Sequence, residues 1–275
     1  MPHDLAPTAN ALALRYGTQA AMPSVWNATL ATLLGHRSVR AYTDQAVSAE
    51  TIDTLVAAAQ SASTSSNLQV WSVVAVQDAG RRARLAALCG GQKHIAQAPL
   101  FLVWLADLSR NGRIAERAEA PLDALPYTES FVLGVVDASL AAQNACVAAE
   151  SLGLGVVYIG GIRNKPAEVA AELGLPPQVM AVFGLCVGYP DPDVITDVKP
   201  RLPAALVLHH EQYNTSDEAV AVAAYDQRME AFQQTQGMAQ VGWSRSVLSR
   251  LKGPQSLSGR HVLREVLAAL GFPLR

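Results

Sequence analysis

The stretch from Thr128 to Leu152 constrains this chain most: about 25 residues with no base and only three acids, Glu129, Asp137 and Glu150. Its interior is mostly Ala, Val and Leu, and Gly153 follows it, which predicts one long helix. So apolar a helix is expected to be buried nearly all round. One subunit of 275 residues has difficulty covering it completely, so a second subunit is expected to contribute.

The other elements fall on either side of that helix. Ser48 offers a capping hydroxyl, Glu50 an acid in the first turn, and Ile52, Leu55, Val56 and Ala59 the spacing of a helix reaching about Gln60. Residues 70–76 and 100–106 are nearly continuous β-favouring apolar runs, the pattern of central strands covered on both faces. Strands are also expected at 156–159 and 181–187, with a short helix over 166–173 between them, and a last strand at 205–209. After Asn214 the pattern becomes helical over 216–236, mixed over 237–253, and amphipathic over 257–270, where Gly271 and Pro273 stop it. This tail has too little apolar surface to fold by itself and is expected to wrap the core or a partner subunit. Residues 1–25 read as a flexible extension, which divides the chain into 1–25, a core over 26–214, and a helical extension over 215–275.

Half of the residues are hydrophobic and the apolar runs are evenly spread, which favours one α/β domain with extensions. A formal charge of −2 leaves no basic field for nucleic acid or an anionic membrane surface. The longest uncharged run near the middle, 173–190, is broken by Pro176-Pro177 and three glycines, so no membrane span is expected. The first 35 residues lack the compact apolar region of a secretory signal. Cys89, Cys146 and Cys186 form an odd set that suits a reducing compartment, and a cytoplasmic protein is expected. Rossmann, P-loop and α/β-hydrolase motifs do not occur. His209 and His210 would alternate across a strand and so cannot share a metal, and no metal site is expected. Asp191, Asp193 and Asp197 read as a solvated loop.

Two short basic segments lie about 160 residues apart, His36-Arg37-Ser38-Val39-Arg40 and Lys199-Pro200-Arg201-Leu202-Pro203. Three arginines, a lysine and a histidine are costly to desolvate unless a multiply charged partner neutralises them, and a terminal phosphate is the commonest such partner. Arg37 and Arg40 are able to face one ligand, with His36 and Ser38 as neighbouring donors; a solvated turn is the alternative. Gly160-Gly161, following Tyr158-Ile159 at a strand end, lets backbone N–H groups approach a flat ring; a plain strand-to-loop bend is the alternative.

The ordered motifs HRSVRAYTD, SASTSSNLQ, GGQKHIAQAP, GVVDASLAAQNACVAAESLGLGVVYIGGIRN and FGLCVGYP with KPRLP resemble the FMN-dependent, oxygen-insensitive nitroreductases. They look like the larger NADPH-preferring branch, which includes the flavin reductase of luminous bacteria. The similarity spans about Trp26 to Tyr213 and weakens over the last sixty or so residues. It implies an α+β fold with a central mixed sheet flanked by helices, in a homodimer with a swapped helical C-terminal extension. It implies that the segments containing His36, Arg37, Ser38, Val39 and Arg40, and Lys199, Pro200 and Arg201, enclose the ribityl phosphate of FMN. Tyr158, Ile159, Gly160 and Gly161 then line the flavin ring, with a backbone N–H at N5. Thr64 replaces the usual serine and keeps a hydroxyl suited to the ribityl chain or a ring carbonyl, although its run is equally a helix-ending loop. Gln92 resembles the glutamine at the pyrimidine side, while Lys93 and His94 read as solvent-facing.

The activity implied is ping-pong transfer of hydride from NAD(P)H through flavin N5 to nitroaromatics, quinones or free flavin, with no side chain as obligatory acid or base. A specialised flavin dehydrogenase or dehalogenase, and a non-catalytic FMN-binding sensor, are the alternatives. The resemblance also implies an arginine-rich loop after the first tail helix, for the NADPH 2′-phosphate. Residues 236–245 lack paired arginines, leaving Arg245, Arg250, Lys252 and Arg260 nearby, so NADPH is expected to be preferred with NADH still usable.

Overall fold

The computed structural model describes residues 12–17 and 25–275, which divide into two compact units. The expected flexible extension therefore lies mostly outside the described residues, although residues 12–16 are helical. One unit, built from 38–194 and 257–275, carries the sheet; the other, from the described residues up to Arg37 together with 195–256, carries the first tail helices.

The sheet unit contains β1 (Trp71–Val76), β2 (Leu100–Asp107), β3 (Gly155–Ile159) and β4 (Val179–Gly188), in the order β1-β2-β4-β3. The fold is α+β, as expected, but the sheet is not mixed: every pair among the described strands is antiparallel, and the parallel component is one isolated bridge from Ser38 to Val156. Every residue of β2 is buried, and its side chains divide by the alternation of a strand. Leu100, Leu102 and Trp104 join a core with Leu55, Ala59 and the Ala141–Ala149 face of the long helix. Phe101, Val103 and Leu105 join another with Leu85, Ile95 and Val169. Burial on both faces explains the continuous apolar run. β1, expected to be central, lies at the sheet edge and is mostly half-buried.

The long helix runs over Thr128–Ser151 and is apolar and long enough to cross a membrane by length and composition. Its buried face, however, is that of a core helix, carrying Gly134, Asp137 and a row of alanines; Gly134 lies so close to the sheet that a Cβ would come 3.1 Å from that of Ala106. It is not buried all round: Val132, Val136 and Leu140, one above another at a spacing of four, remain 42–44% exposed. The expected helix over 257–270 is shorter. Ser258 and Gly259 take left-handed backbone angles (φ 53° and 89°), which end regular helix, and the α-helix covers only Leu263–Ala269.

In the tail unit, helices span Ala28–Leu34, Glu218–Thr235 and Gly242–Arg250. The last of these falls in the stretch read as mixed, and its start is capped from outside: Asp226 Oδ1 accepts from the N–H groups of Trp243 and Ser244 at 2.7 Å each. Hydrogen bonds from Ser244 hold this carboxyl below its usual range. The strand expected at 205–209 is absent. Pro203 leads instead into a 3-10 turn over Ala204–Leu206, and Val207 and Leu208 stay 65% and 57% exposed, without the pairing and burial that a β-favouring run needs. The argument that separated His209 from His210 falls with that strand, since both border one cavity of about 480 Å3 with Asp217 and Glu218.

Candidate functional site

In the tail unit, Arg15 is only 5% exposed. Its guanidinium donates to the Leu34 carbonyl (2.9 and 3.3 Å) and to the His36 carbonyl (2.9 Å). Its own carbonyl accepts from the N–H of Arg201 at 2.9 Å. One buried residue thus ties the chain at His36 to the chain at Arg201, bringing parts of both basic segments together. Pro200 is buried between exposed Lys199 and Arg201, and its carbonyl accepts from the Tyr225 hydroxyl at 3.0 Å. The two cations are thereby presented outward from a fixed backbone. They border a cavity of about 650 Å3 whose wall includes Met229, Phe232 and Trp243. Arg37, at the end of this unit's first segment, is also exposed.

In the sheet unit, Val39 donates its N–H to the Val156 carbonyl at 2.9 Å and is buried against Gly155. A Cβ at Gly155 would stand 2.8 Å from that of Val39, so the approach needs glycine. Val39 is therefore an anchor, between half-buried Ser38 and exposed Arg40. Farther along β3, Ile159 puts its side chain into the core, so at a ligand it has backbone to offer. Tyr158 packs edge-on to Phe183 at 5.4 Å with its hydroxyl 3.4 Å from Gln143 Oε1. Burial above all, then the thiol of Cys146 and the carboxylate of Glu150, push its phenol up, so it stays protonated at neutral pH.

Gly160 starts a 3-10 turn. A Cβ there would meet nothing nearer than Arg163 at 3.5 Å, with Arg260 at 3.8 Å, whereas at Gly161 it would lie 2.5 Å from Gln92 Nε2 and 2.6 Å from the Cys89 carbonyl. The two glycines thus have different tasks: Gly160 leaves its main chain approachable, and Gly161 makes room for the Cys89–Gln92 turn. Gln92, whose amide donates to the Cys89 carbonyl at 2.9 Å, is brought against Gly161. Arg260 is held by its Nε bond to Asn164 Oδ1 at 2.9 Å. Lys93 is exposed as expected, but His94 is half-buried with Nε2 sealed from solvent; burial, then the positive charge of Arg40, hold its pKa below the usual value. Thr64 belongs to another network, around the buried carboxylate of Asp137, which accepts its hydroxyl at 2.5 Å.

The three cysteines are buried and free, and burial pushes Cys89 and Cys146 up to about 12, which makes them inert thiols. Asp197 accepts from Gln236 Nε2 at 2.7 Å. In the tail unit Arg245, Ser246, Ser249, Arg250 and Ser256 border a cavity of about 760 Å3, placing two of the four remaining tail cations together with hydroxyls.

The sequence profile of the nitroreductase family matches residues 33–189, and that of its C-terminal domain matches 199–275. The chain belongs to the nitroreductase family. It is 42% identical over 231 residues to the FMN reductase (NADPH) of Bacillus subtilis, covering 82% of this chain and 92% of that protein. With the oxygen-insensitive NADPH nitroreductase of Salmonella typhimurium it is 46% identical over 209 residues, 76% of this chain and 84% of the relative. The structure of NfrA2 from B. megaterium superposes with a TM-score of 0.85 at 41% identity, over 91% of this chain and all of that one. The NADPH:FMN oxidoreductase of Vibrio harveyi, in complex with NAD+, gives 0.79 at 38% identity over 90% of this chain and all of that one. The family match thus extends over the tail, where the motifs of the sequence weaken.

Two residues that organise these segments were not among the candidates. Arg15 had no signal beyond being a lone base in a weakly patterned arm. Asp137 had one: an acid in the middle of an otherwise apolar helix must be paired or solvated.

Proposed function

We propose that this protein is an FMN-dependent oxidoreductase that transfers hydride from NAD(P)H to nitroaromatics, quinones or free flavin. The observation that carries this reading is the pair of basic segments joined through Arg15, alongside family membership over nearly the whole chain. The donor chemistry fits the cofactor: cationic groups at Arg37, Arg40, Lys199 and Arg201, with the imidazole of His36, suit a terminal phosphate, and the open side of Gly160 suits a flat ring.

On this reading FMN supplies the hydride chemistry when bound. His36, Arg37, Ser38 and Arg40, with Lys199 and Arg201, hold the phosphate end, while Val39 and Pro200 fix the backbone between them. Tyr158, Ile159, Gly160 and Gly161 border the ring, and Gln92 stands at its pyrimidine side. Tyr158, kept protonated by burial, is no base, and the reading needs no side-chain acid or base. NADPH is preferred and NADH usable; Arg245 and Arg250, among serine hydroxyls, are the cations offered to a 2′-phosphate in place of a denser arginine cluster.

The working form is a cytoplasmic homodimer in which residues 26–214 carry the cofactor and 215–275 pack on the core or the partner. The exposed stripe of Val132, Val136 and Leu140 supports this, since a second copy is the natural cover for apolar surface on so apolar a helix. The decisive experiment is anaerobic addition of NADPH to the purified yellow protein, followed by a quinone. Bleaching and then recovery of the flavin absorbance is expected. A colourless protein, or one whose FMN neither bleaches with NADPH nor recovers with quinone, overturns the reading.

A further inference from the structure

The Thr64 hydroxyl is locally committed. It donates to Asp137 Oδ2 at 2.5 Å and accepts from the Gln69 N–H at 3.1 Å. A hydroxyl has one proton and two lone pairs, so one lone pair remains. The same carboxylate accepts from the Val70 N–H through Oδ2 and the Ser65 N–H through Oδ1, both at 3.2 Å. Asp137 is 1% exposed, and a buried carboxylate that accepts three hydrogen bonds fixes its partners firmly. The loop so held is not a relaxed one: Ser66, Asn67 and Gln69 all take left-handed backbone angles, with φ of 50°, 55° and 50°. Three non-glycine residues in that region persist only where surrounding contacts over-determine them, and such strain gathers at ligand sites. The Asp137 network brackets that stretch at Thr64, Ser65 and Val70, while Arg110 donates to the Gln69 carbonyl at 3.0 Å within it.

We propose that Asp137 is a positioning residue for the cofactor, and that by taking the Thr64 proton it leaves Thr64 as an acceptor only. The ligand group opposite Thr64 must then be a donor, either a ribityl hydroxyl or the N3–H of the flavin ring, and not a ring carbonyl. This rests on the FMN reading and narrows it to one polarity of contact. It also gives Asp137 a task that its place on a mostly alanine face does not explain by packing. Asp137→Asn has nearly the same volume, but its amide can donate to Thr64, which returns the hydroxyl proton to the ligand side and reverses the contact.

The test titrates apoprotein with FMN and with lumiflavin, which keeps the ring and N3–H but lacks the ribityl chain, and records the melting temperature of each apoprotein. Thr64→Val, which keeps the shape without the hydroxyl, and Asp137→Asn are each expected to weaken FMN binding roughly tenfold, while Thr64→Ser stays within about twofold of wild type. Loss confined to FMN assigns the donor as a ribityl hydroxyl; loss shared with lumiflavin assigns it as N3–H. Wild-type FMN affinity in both Thr64→Val and Asp137→Asn overturns the proposal, as does tighter binding in Asp137→Asn. If Asp137→Asn fails to fold, the comparison of Thr64→Val with Thr64→Ser decides, since a purely structural hydroxyl lowers the melting temperature without changing affinity. Failure of the wild-type protein to bind FMN at all would instead overturn the functional reading itself.

Discussion

Arg15 and Asp137 form a natural pair for comparison: one anchors the tail unit, the other the sheet unit, and they carry opposite charge. Each is at most 5% exposed, and each hydrogen-bonds the backbone of a segment named for the cofactor. The difference lies in what they fix. Arg15 donates to carbonyls, so it turns two stretches of chain toward each other while leaving their side chains outward. Asp137 accepts from N–H groups and from a hydroxyl, so besides shaping its loop it decides which way one proton points. A buried cation here sets position; a buried anion sets position and polarity.

The largest effect should come from removing the anion. Asp137→Ala leaves two N–H groups and a hydroxyl without their acceptor, and a loss of about 3–5 kcal/mol of unfolding free energy is expected in denaturant titration. Arg15→Ala should cost less, about 2–3 kcal/mol, because the Leu34 carbonyl belongs to a helix end that water can reach. If Arg15→Ala proves the more costly of the two, the ranking of anion over cation is wrong. FMN affinity should fall in Arg15→Ala, whereas Arg15→Lys, which keeps the charge but not the fork, should recover part of it.

A steric anchor calibrates the polar ones. Gly161→Ala places a methyl 2.6 Å from the Cys89 carbonyl, which cannot move as a side chain would, and about 1–3 kcal/mol is expected to be lost. Gly160→Ala meets only ordinary contacts and should stay within about 0.5 kcal/mol in thermal melts. Equal cost at the two glycines would remove the division of labour drawn between them.

The smallest effect concerns His94. Its folded-state pKa lies below the usual value, so as pH falls through about 6.5 the unfolded chain takes up a proton before the native one and stability declines. Burial is the first cause and remains in Arg40→Met; the repulsion from Arg40 does not. NMR titration of the His94 ring should therefore show its pKa rise in that variant but stay below the ordinary value. No rise would mean that Arg40 points elsewhere.

Much of the sheet unit was legible in the sequence because its strands and long helix carry strong periodic signals: β2 reads as a two-faced strand and is one. Sheet edge and direction were not legible, since a half-buried β1 and a fully buried β2 are spelled with the same residue types. The run Ala-Ala-Leu-Val-Leu over 204–208 shows the limit of propensity, which describes what a segment would suit and not whether a neighbour exists to pair with it. Among the site candidates, the cationic segments and paired glycines announced themselves by composition. Arg15 did not, because main-chain carbonyls that accept from an arginine leave no trace in the side-chain sequence.

The close approach of Val39 to Gly155 has a consequence for inheritance. Neither position is free to drift alone: a methyl at 155 finds the valine Cβ in its place, and only a smaller residue at 39 would make room. The two should therefore change together or not at all along any lineage that keeps this bridge. A descendant bearing alanine at 155 beside an unchanged valine at 39 would have to shift the start of β3, and with it the chain leading to Arg40, before it could fold.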